Sequence, residues 1–146
     1  MQQMINGALT TLTPEQEADF VCGGTATLAQ VQAVAVNQVN QGAQASRQKY
    51  ITVIAGQETT YYLKQLEAAA LVNDPSATAA KYPYTFAEAA ATGSTPAALA
   101  ATVNATAAAW TAVNVQIESL RRGAIVAIGN ATDIPTINSL VNITWP

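Results

Sequence analysis

The sequence has no histidine, a single cysteine (Cys22), and few charges: nine Asp plus Glu and six Lys plus Arg in 146 residues. Each scarcity excludes something. Without histidine the commonest general base and the commonest metal ligand are missing. The carboxylates after the first helix, Glu58, Glu67, Asp74, Glu88, Glu118 and Asp133, stand singly along the chain. No catalytic, cofactor-binding or metal-ligating residues are therefore assigned, and an enzyme is the least favoured class. Glu15, Glu17 and Asp19 read as solvated first-turn charges rather than a metal site. A lone thiol cannot form an internal disulfide and says nothing of redox compartment. The six cations are dispersed and the net charge is −3, the opposite of the clustered Lys and Arg that phosphate contacts require, so nucleic acid is set aside as a partner.

Long apolar runs are also missing. None approaches the roughly 20 residues needed to cross a bilayer, and no membrane insertion is expected. The opening stretch MQQMINGALTTLT carries no basic region or continuous apolar segment, so signal-peptide export is not expected. Asn-x-Thr triplets at Asn104, Asn130 and Asn142 read as chance in an Asn- and Thr-rich chain. Gly23-Gly24 lacks the Lys-Ser/Thr of a phosphate loop.

What the chain does have is alanine. Hydrophobic residues reach 50% while aromatics are 6%, and alanine buries little area per residue, so a monomeric core would be thin and self-association is expected. Charged residues, 10% against the usual quarter, leave the surface to Thr, Asn, Gln and Ala. The few aromatics, among them Tyr50, Tyr61, Tyr62, Tyr82, Tyr84, Phe86, Trp110 and Trp145, admit two readings. Exposed, flat rings form a carbohydrate platform; buried, they fill a core otherwise made of alanine. The second is preferred, with Trp110 at the centre of that core.

The dominant pattern runs from Thr95 to Ile128. Leu99, Val103, Ala107, Trp110, Val113, Ile117, Leu120, Ala124 and Ile128 follow in steps of three and four, one apolar stripe on a long α-helix. Thr95-Pro96 supplies its start. Leu99, Val103, Trp110, Val113, Ile117 and Leu120 are the residues assigned to core and oligomer packing. Glu118 with Arg121 or Arg122 has the spacing of a supporting ion pair. Upstream, Met1 to Leu12 has no helical period and reads as an extended arm. Thr13-Pro14-Glu15-Gln16 and Thr27-Leu28-Ala29-Gln30 are capping-box patterns that open a short helix to about Val21 and a longer one to about Lys49. Residues 50–54 read as an extended linker. A third helix runs from Gln57 to near Asn73-Asp74-Pro75, a short one covers Phe86 to Ala91, and Asp133 caps a last one. The fold class is thus all-α: an N-terminal extended arm followed by a small helical bundle with one long central helix. Residues 1–24 are read as an attachment segment and 25–146 as the bundle and oligomerisation domain. Met4, Leu9, Leu12 and Phe20 are the candidates for partner attachment.

Taken together, several motifs resemble an alanine-rich helical module of tailed-bacteriophage tail-fibre and baseplate-associated proteins. They are Tyr50 to Thr52 leading to Gly56-Gln57-Glu58, Tyr82-Pro83 before a small helix with Glu88, Gly93 to Thr95, a long helix with Trp110 and Arg121, and Trp145-Pro146. The resemblance covers nearly the whole chain. It implies a virion structural or fibre-associated role with no known catalysis. The alanine-spaced helices, the thin monomer core and the uncapped arm add the expectation of a non-enzymatic tail protein whose N-terminal arm attaches to a neighbouring tail, baseplate or fibre protein while its helices self-associate, with a trimer favoured. A tail-fibre assembly chaperone absent from the mature virion and a lectin-like receptor-binding fibre tip are the alternatives.

Overall fold

The computed structural model describes residues 1–5, 8–51 and 57–146, with the side chains of residues 3–9 outside that description. The fold is all-α, a small helical bundle with one long helix. Among the described residues a short hairpin, β1 (Gln2–Ile5) and β2 (Ala8–Thr11), precedes six helices: α1 (Pro14–Cys22), α2 (Leu28–Gln48), α3 (Gln57–Leu71), α4 (Pro83–Thr92), α5 (Pro96–Asn130) and α6 (Ile134–Leu140).

The arm differs from a single extended strand. β1 pairs antiparallel with β2, Gln2 opposite Thr11 and Met4 opposite Leu9. An extended segment must find partners for its backbone N–H and C=O groups, and here the arm supplies both sides of the ladder itself. Of the segment read as an extended linker, Thr52, Val53 and Ile54 lie outside the described residues.

The helix starts follow their sequence signals. Thr13 and Thr27 both form complete capping boxes, with Gln16 and Gln30 as the reciprocating residues. Thr95 Oγ1 accepts from the Ala98 N–H at 3.1 Å, and Asp133 Oδ1 accepts from the Thr136 N–H at 2.8 Å. The Thr136 N–H and the Thr136 hydroxyl, which donates to Asp133 Oδ2, hold the Asp133 carboxyl below its usual range. Gly23 and Gly93 end α1 and α4 in the left-handed conformation, φ 69° and 68°, which glycine adopts without steric cost.

The contacts divide the chain into two units, residues 1–49 with 115–146, and residues 50–114. In the first, α1 packs on α2 and α6, so residues 1–24 belong to the same unit as these helices. Its core joins Val31, Ala35 and Val39 of α2 to Ile128 of α5, Ile137 of α6 and Ala18 of α1. Alanines at 18, 35 and 43 are buried, and such small side chains let helix axes approach. Trp145 then crosses α2 at Gly42, where an added Cβ would stand 2.6 Å from the indole Nε1. Beyond it the Pro146 carbonyl accepts from Ser46 Oγ at 2.8 Å and from Lys49 Nζ at 3.3 Å.

The second unit has a smaller core: Ala68 and Leu71 of α3 against Ala100 of α5, with Tyr82, Phe86 and Val103 packed around them. Its distinctive feature is a helix cap supplied from another helix. Tyr82 offers α4 no side-chain cap, and Glu67 of α3 takes that place. Its carboxylate accepts from the N–H of Tyr84 at 3.3 Å and of Thr85 at 2.9 Å, and from the buried Thr85 hydroxyl at 3.1 Å. A carboxylate on the first N–H groups of a helix is favoured by both hydrogen bonding and the macrodipole. Asp74 organises the turn between α3 and α4, accepting from Ser76, Lys81 and the Tyr82 hydroxyl. Lys81 and Ser76 hold its carboxyl well below the usual carboxylate range, and the Asp74 hydrogen bond pushes the Tyr82 phenol up.

Candidate functional site

The stripe assigned to packing is largely absorbed by the chain itself. Ile117 is fully buried, and Leu99, Val103, Trp110 and Val113 are half-buried. Leu120 departs from it, at 41% exposed. Its neighbour Arg121 takes the inward place, because Glu118 draws the guanidinium onto α2. Arg121 Nε and Nη2 donate to the two Glu118 oxygens at 2.8 and 2.7 Å, and Nη1 reaches Asn40 Oδ1 at 2.8 Å. Arg47 of α2 completes the group, its Nη2 donating to Glu118 Oε2 at 2.8 Å. With two guanidiniums on one carboxylate, Arg121 foremost, Glu118 is held down to about 2. The i,i+3 pair was visible in the sequence; Arg47 and Asn40, far away along the chain, were not.

The opposite side of α5 is open. Ala101, Ala105, Ala108, Ala112 and Val115 are all exposed and follow in steps of four and three, and the same steps reach Val126 through Ser119 and Arg122. Val115 and Val126 are 62% and 54% exposed. A spacing of 3.5 residues with small apolar side chains is the geometry of a coiled-coil seam.

Of the attachment candidates, Leu12 is buried at 5% exposed, so its side chain serves the chain's own packing and is not a free docking group. Phe20, with its neighbour Val21, is 69% exposed at the end of α1. The side chains of Met4 and Leu9 lie outside the described residues.

The second unit contains a cleft of about 570 Å³, inside the usual range of ligand pockets. One wall is α3, with Tyr61, Tyr62 and Lys64; the facing wall is the first half of α5, with Leu99, Thr102, Val103, Thr106 and Trp110. Tyr50 and Ile51 close one part of it and Glu88 of α4 another. The aromatic residues therefore divide: Tyr82, Phe86 and Trp145 pack against the buried clusters, whereas the rings along the cleft do not. Tyr50, Tyr61 and Tyr62 are 48%, 53% and 60% exposed, and Trp110 is half-buried along the cleft rather than central to either buried cluster. The reason lies in α3. Its buried positions are Ala68 and Leu71, and neighbouring residues on a helix lie about 100° apart, so Tyr61, Tyr62, Leu63 and Leu66 spread over more of the surface than one core can cover. The adjacency of Tyr61 and Tyr62 was the available signal for this.

The polar groups of the cleft are partly committed. Lys64 forms an ion pair with Glu88, and its Nζ stands 5.8 Å from the centroid of the Tyr61 ring. The Tyr61 hydroxyl donates to Gln57 Oε1 at 3.1 Å. Glu58 and Gln65 also face the cleft. Among the described residues there is no group of three or more His, Cys, Asp or Glu placed to hold a metal ion, and no helix is long and apolar enough to cross a membrane. No family model, curated protein or solved structure matches this chain.

Proposed function

We propose that this chain is a non-enzymatic structural subunit of a tailed-bacteriophage virion, a tail-fibre or baseplate-associated protein that self-associates through its helices and docks to its neighbours through the N-terminal segment. The phage reading rests on the resemblance of the motifs between Tyr50 and Pro146. The self-association reading rests on one observation, the exposed apolar side of α5 from Ala101 to Val115. An isolated helix in water keeps a polar outer face; α5 instead presents Ala101, Ala105, Ala108, Ala112 and Val115 at coiled-coil spacing, a surface that gains by covering. A trimer is the favoured assembly. Phe20 and Val21 are the exposed apolar pair on α1 to which a neighbouring virion protein would attach.

Multi-angle light scattering at micromolar concentration tests the assembly. A trimer is expected, shifted toward monomer by Val115→Lys with the helical circular dichroism unchanged; a stable wild-type monomer overturns it. Mass spectrometry of purified particles separates a virion subunit, which is present, from an assembly chaperone, which is absent.

A further inference from the structure

The exposed side of α5 accounts for alanine and valine, but it leaves the aromatic cleft of the second unit without a purpose. That cleft is costly to keep open. Three tyrosines and a tryptophan, the side chains with most to gain from burial, stand around about 570 Å³ of unfilled volume. We propose that this cleft is a binding site for a neutral saccharide, with Tyr61, Tyr62 and Trp110 as stacking surfaces and Glu58, Gln57 and Gln65 as hydrogen-bonding groups for sugar hydroxyls.

The ligand class follows from what the lining accepts and what it rejects. Among the described residues that line the cleft the one cation is Lys64, and it is already paired with Glu88. Counting Glu58, Glu88 and Lys64, the lining carries one net negative charge, so phosphates, nucleotides and acidic sugars meet repulsion without a free cation to offset it. A plain hydrocarbon meets a different obstacle. It would remove water from Glu58, Glu88 and Lys64 while returning no hydrogen bonds, which is unfavourable for every charged group. A pyranose meets both demands: its C–H faces lie against flat rings while its edges carry hydroxyls. Carboxylates accept from those hydroxyls, and the amides of Gln57 and Gln65 both donate and accept. Thr102 and Thr106 on the α5 wall add two more groups of the same kind. The rings hold aliphatic cations as well, but Lys64, with its charge over the Tyr61 ring, already occupies that role and opposes a second cation.

The framework around the rings is set before any ligand arrives. Glu67 holds the start of α4, and hence Glu88, against α3. Asn104 Nδ2 donates to the Ala68 carbonyl at 3.1 Å, tying α5 to α3 beside the cleft. A site whose walls are fixed in this way loses little freedom on binding.

The inference stands on the cleft alone and is read by ligand binding, whereas the structural role above is read by mass and particle content, so either can fail without the other. The test is calorimetric titration of the full chain with maltotriose, cellotriose and chitotriose, with sialyllactose and choline as comparison ligands. At least one neutral trisaccharide should bind with millimolar or tighter affinity, and sialyllactose and choline should bind more weakly. Tyr61→Ala and Tyr62→Ala, both at exposed positions, should each weaken binding by up to about tenfold, the scale of one aromatic contact, while Leu120→Ala, outside the cleft, changes nothing. Saturation-transfer NMR on the wild-type chain removes dependence on the variants: irradiating the aromatic protons should saturate the sugar ring protons. Absence of binding by all three neutral sugars, binding unaffected by the tyrosine substitutions, or preference for choline each overturns the proposal.

Discussion

The two units use their apolar residues in opposite ways. In the first, the large apolar side chains go inside: Val31, Val39, Ile128 and Ile137 are buried to within 2% of completely, and Trp145 closes over α2. In the second, the buried cluster is Ala68, Leu71 and Ala100, while Tyr61, Tyr62, Leu66 and Val72 remain about half exposed. The second unit holds all five tyrosines and 20 of the 31 alanines, and the two units differ in the spacing of their apolar residues as well. α2 places Val31, Ala35, Val39 and Ala43 in steps of four, a narrow stripe that one set of neighbours can cover. α3 sets Tyr61, Tyr62 and Leu63 side by side, and no single packing partner reaches all of them. The open unit compensates with polar ties, Glu67 on α4 and Asp74 on its turn.

The contrast predicts where substitutions hurt. The largest effect belongs to Ile137→Ala, which opens a cavity among fully buried neighbours and should cost about 2–5 kcal/mol in urea unfolding. Tyr62→Ala, the corresponding removal of a large apolar side chain from the open unit, should stay within about 0.5 kcal/mol, as exposed sites do. Equal losses at the two sites would erase the distinction between the units. Next comes Gly42→Ala. The new methyl would collide with the Trp145 indole, and overpacking of this kind costs about 1–3 kcal/mol. Trp145 serves the first unit and Trp110 the second, so a change of indole emission that persists in Trp110→Phe and vanishes in Trp145→Phe locates the disturbance in the first.

The smallest effect concerns pH. Glu118 is held at about 2 by Arg121 and Arg47, below the value of about 4.3 for an unfolded glutamate. A lowered carboxyl stabilises the folded state above its unfolded pKa, and that contribution disappears as pH falls from about 4 toward about 2. Glu118 is exposed to solvent, so the amount is modest. Urea midpoints measured from pH 5 to pH 2 should fall less steeply in Glu118→Gln than in the wild type. Asp74 and Asp133, also held low, leave a residual slope in the variant; identical slopes would show that the Arg47–Glu118–Arg121 group contributes nothing.

The sequence by itself determined the elements that depend on neighbours along the chain. Thr13, Thr27, Thr95 and Asp133 open helices where a hydroxyl or carboxylate meets an N–H three residues on, Gly23 and Gly93 close them, and the stripe through Ile117 and Ile128 identifies the buried side of α5. All of these are settled within one or two helical turns. Only the tertiary structure decided the rest. Arg47 meets Glu118 from another helix, Glu67 caps a helix to which it does not belong, and Leu12 turns inward while Leu120 turns out. The fate of the tyrosines was decided in the same way. A ring contributes to a core or to a cleft according to how much neighbouring surface is left to cover it, and that quantity exists only once α3, α4 and α5 are packed.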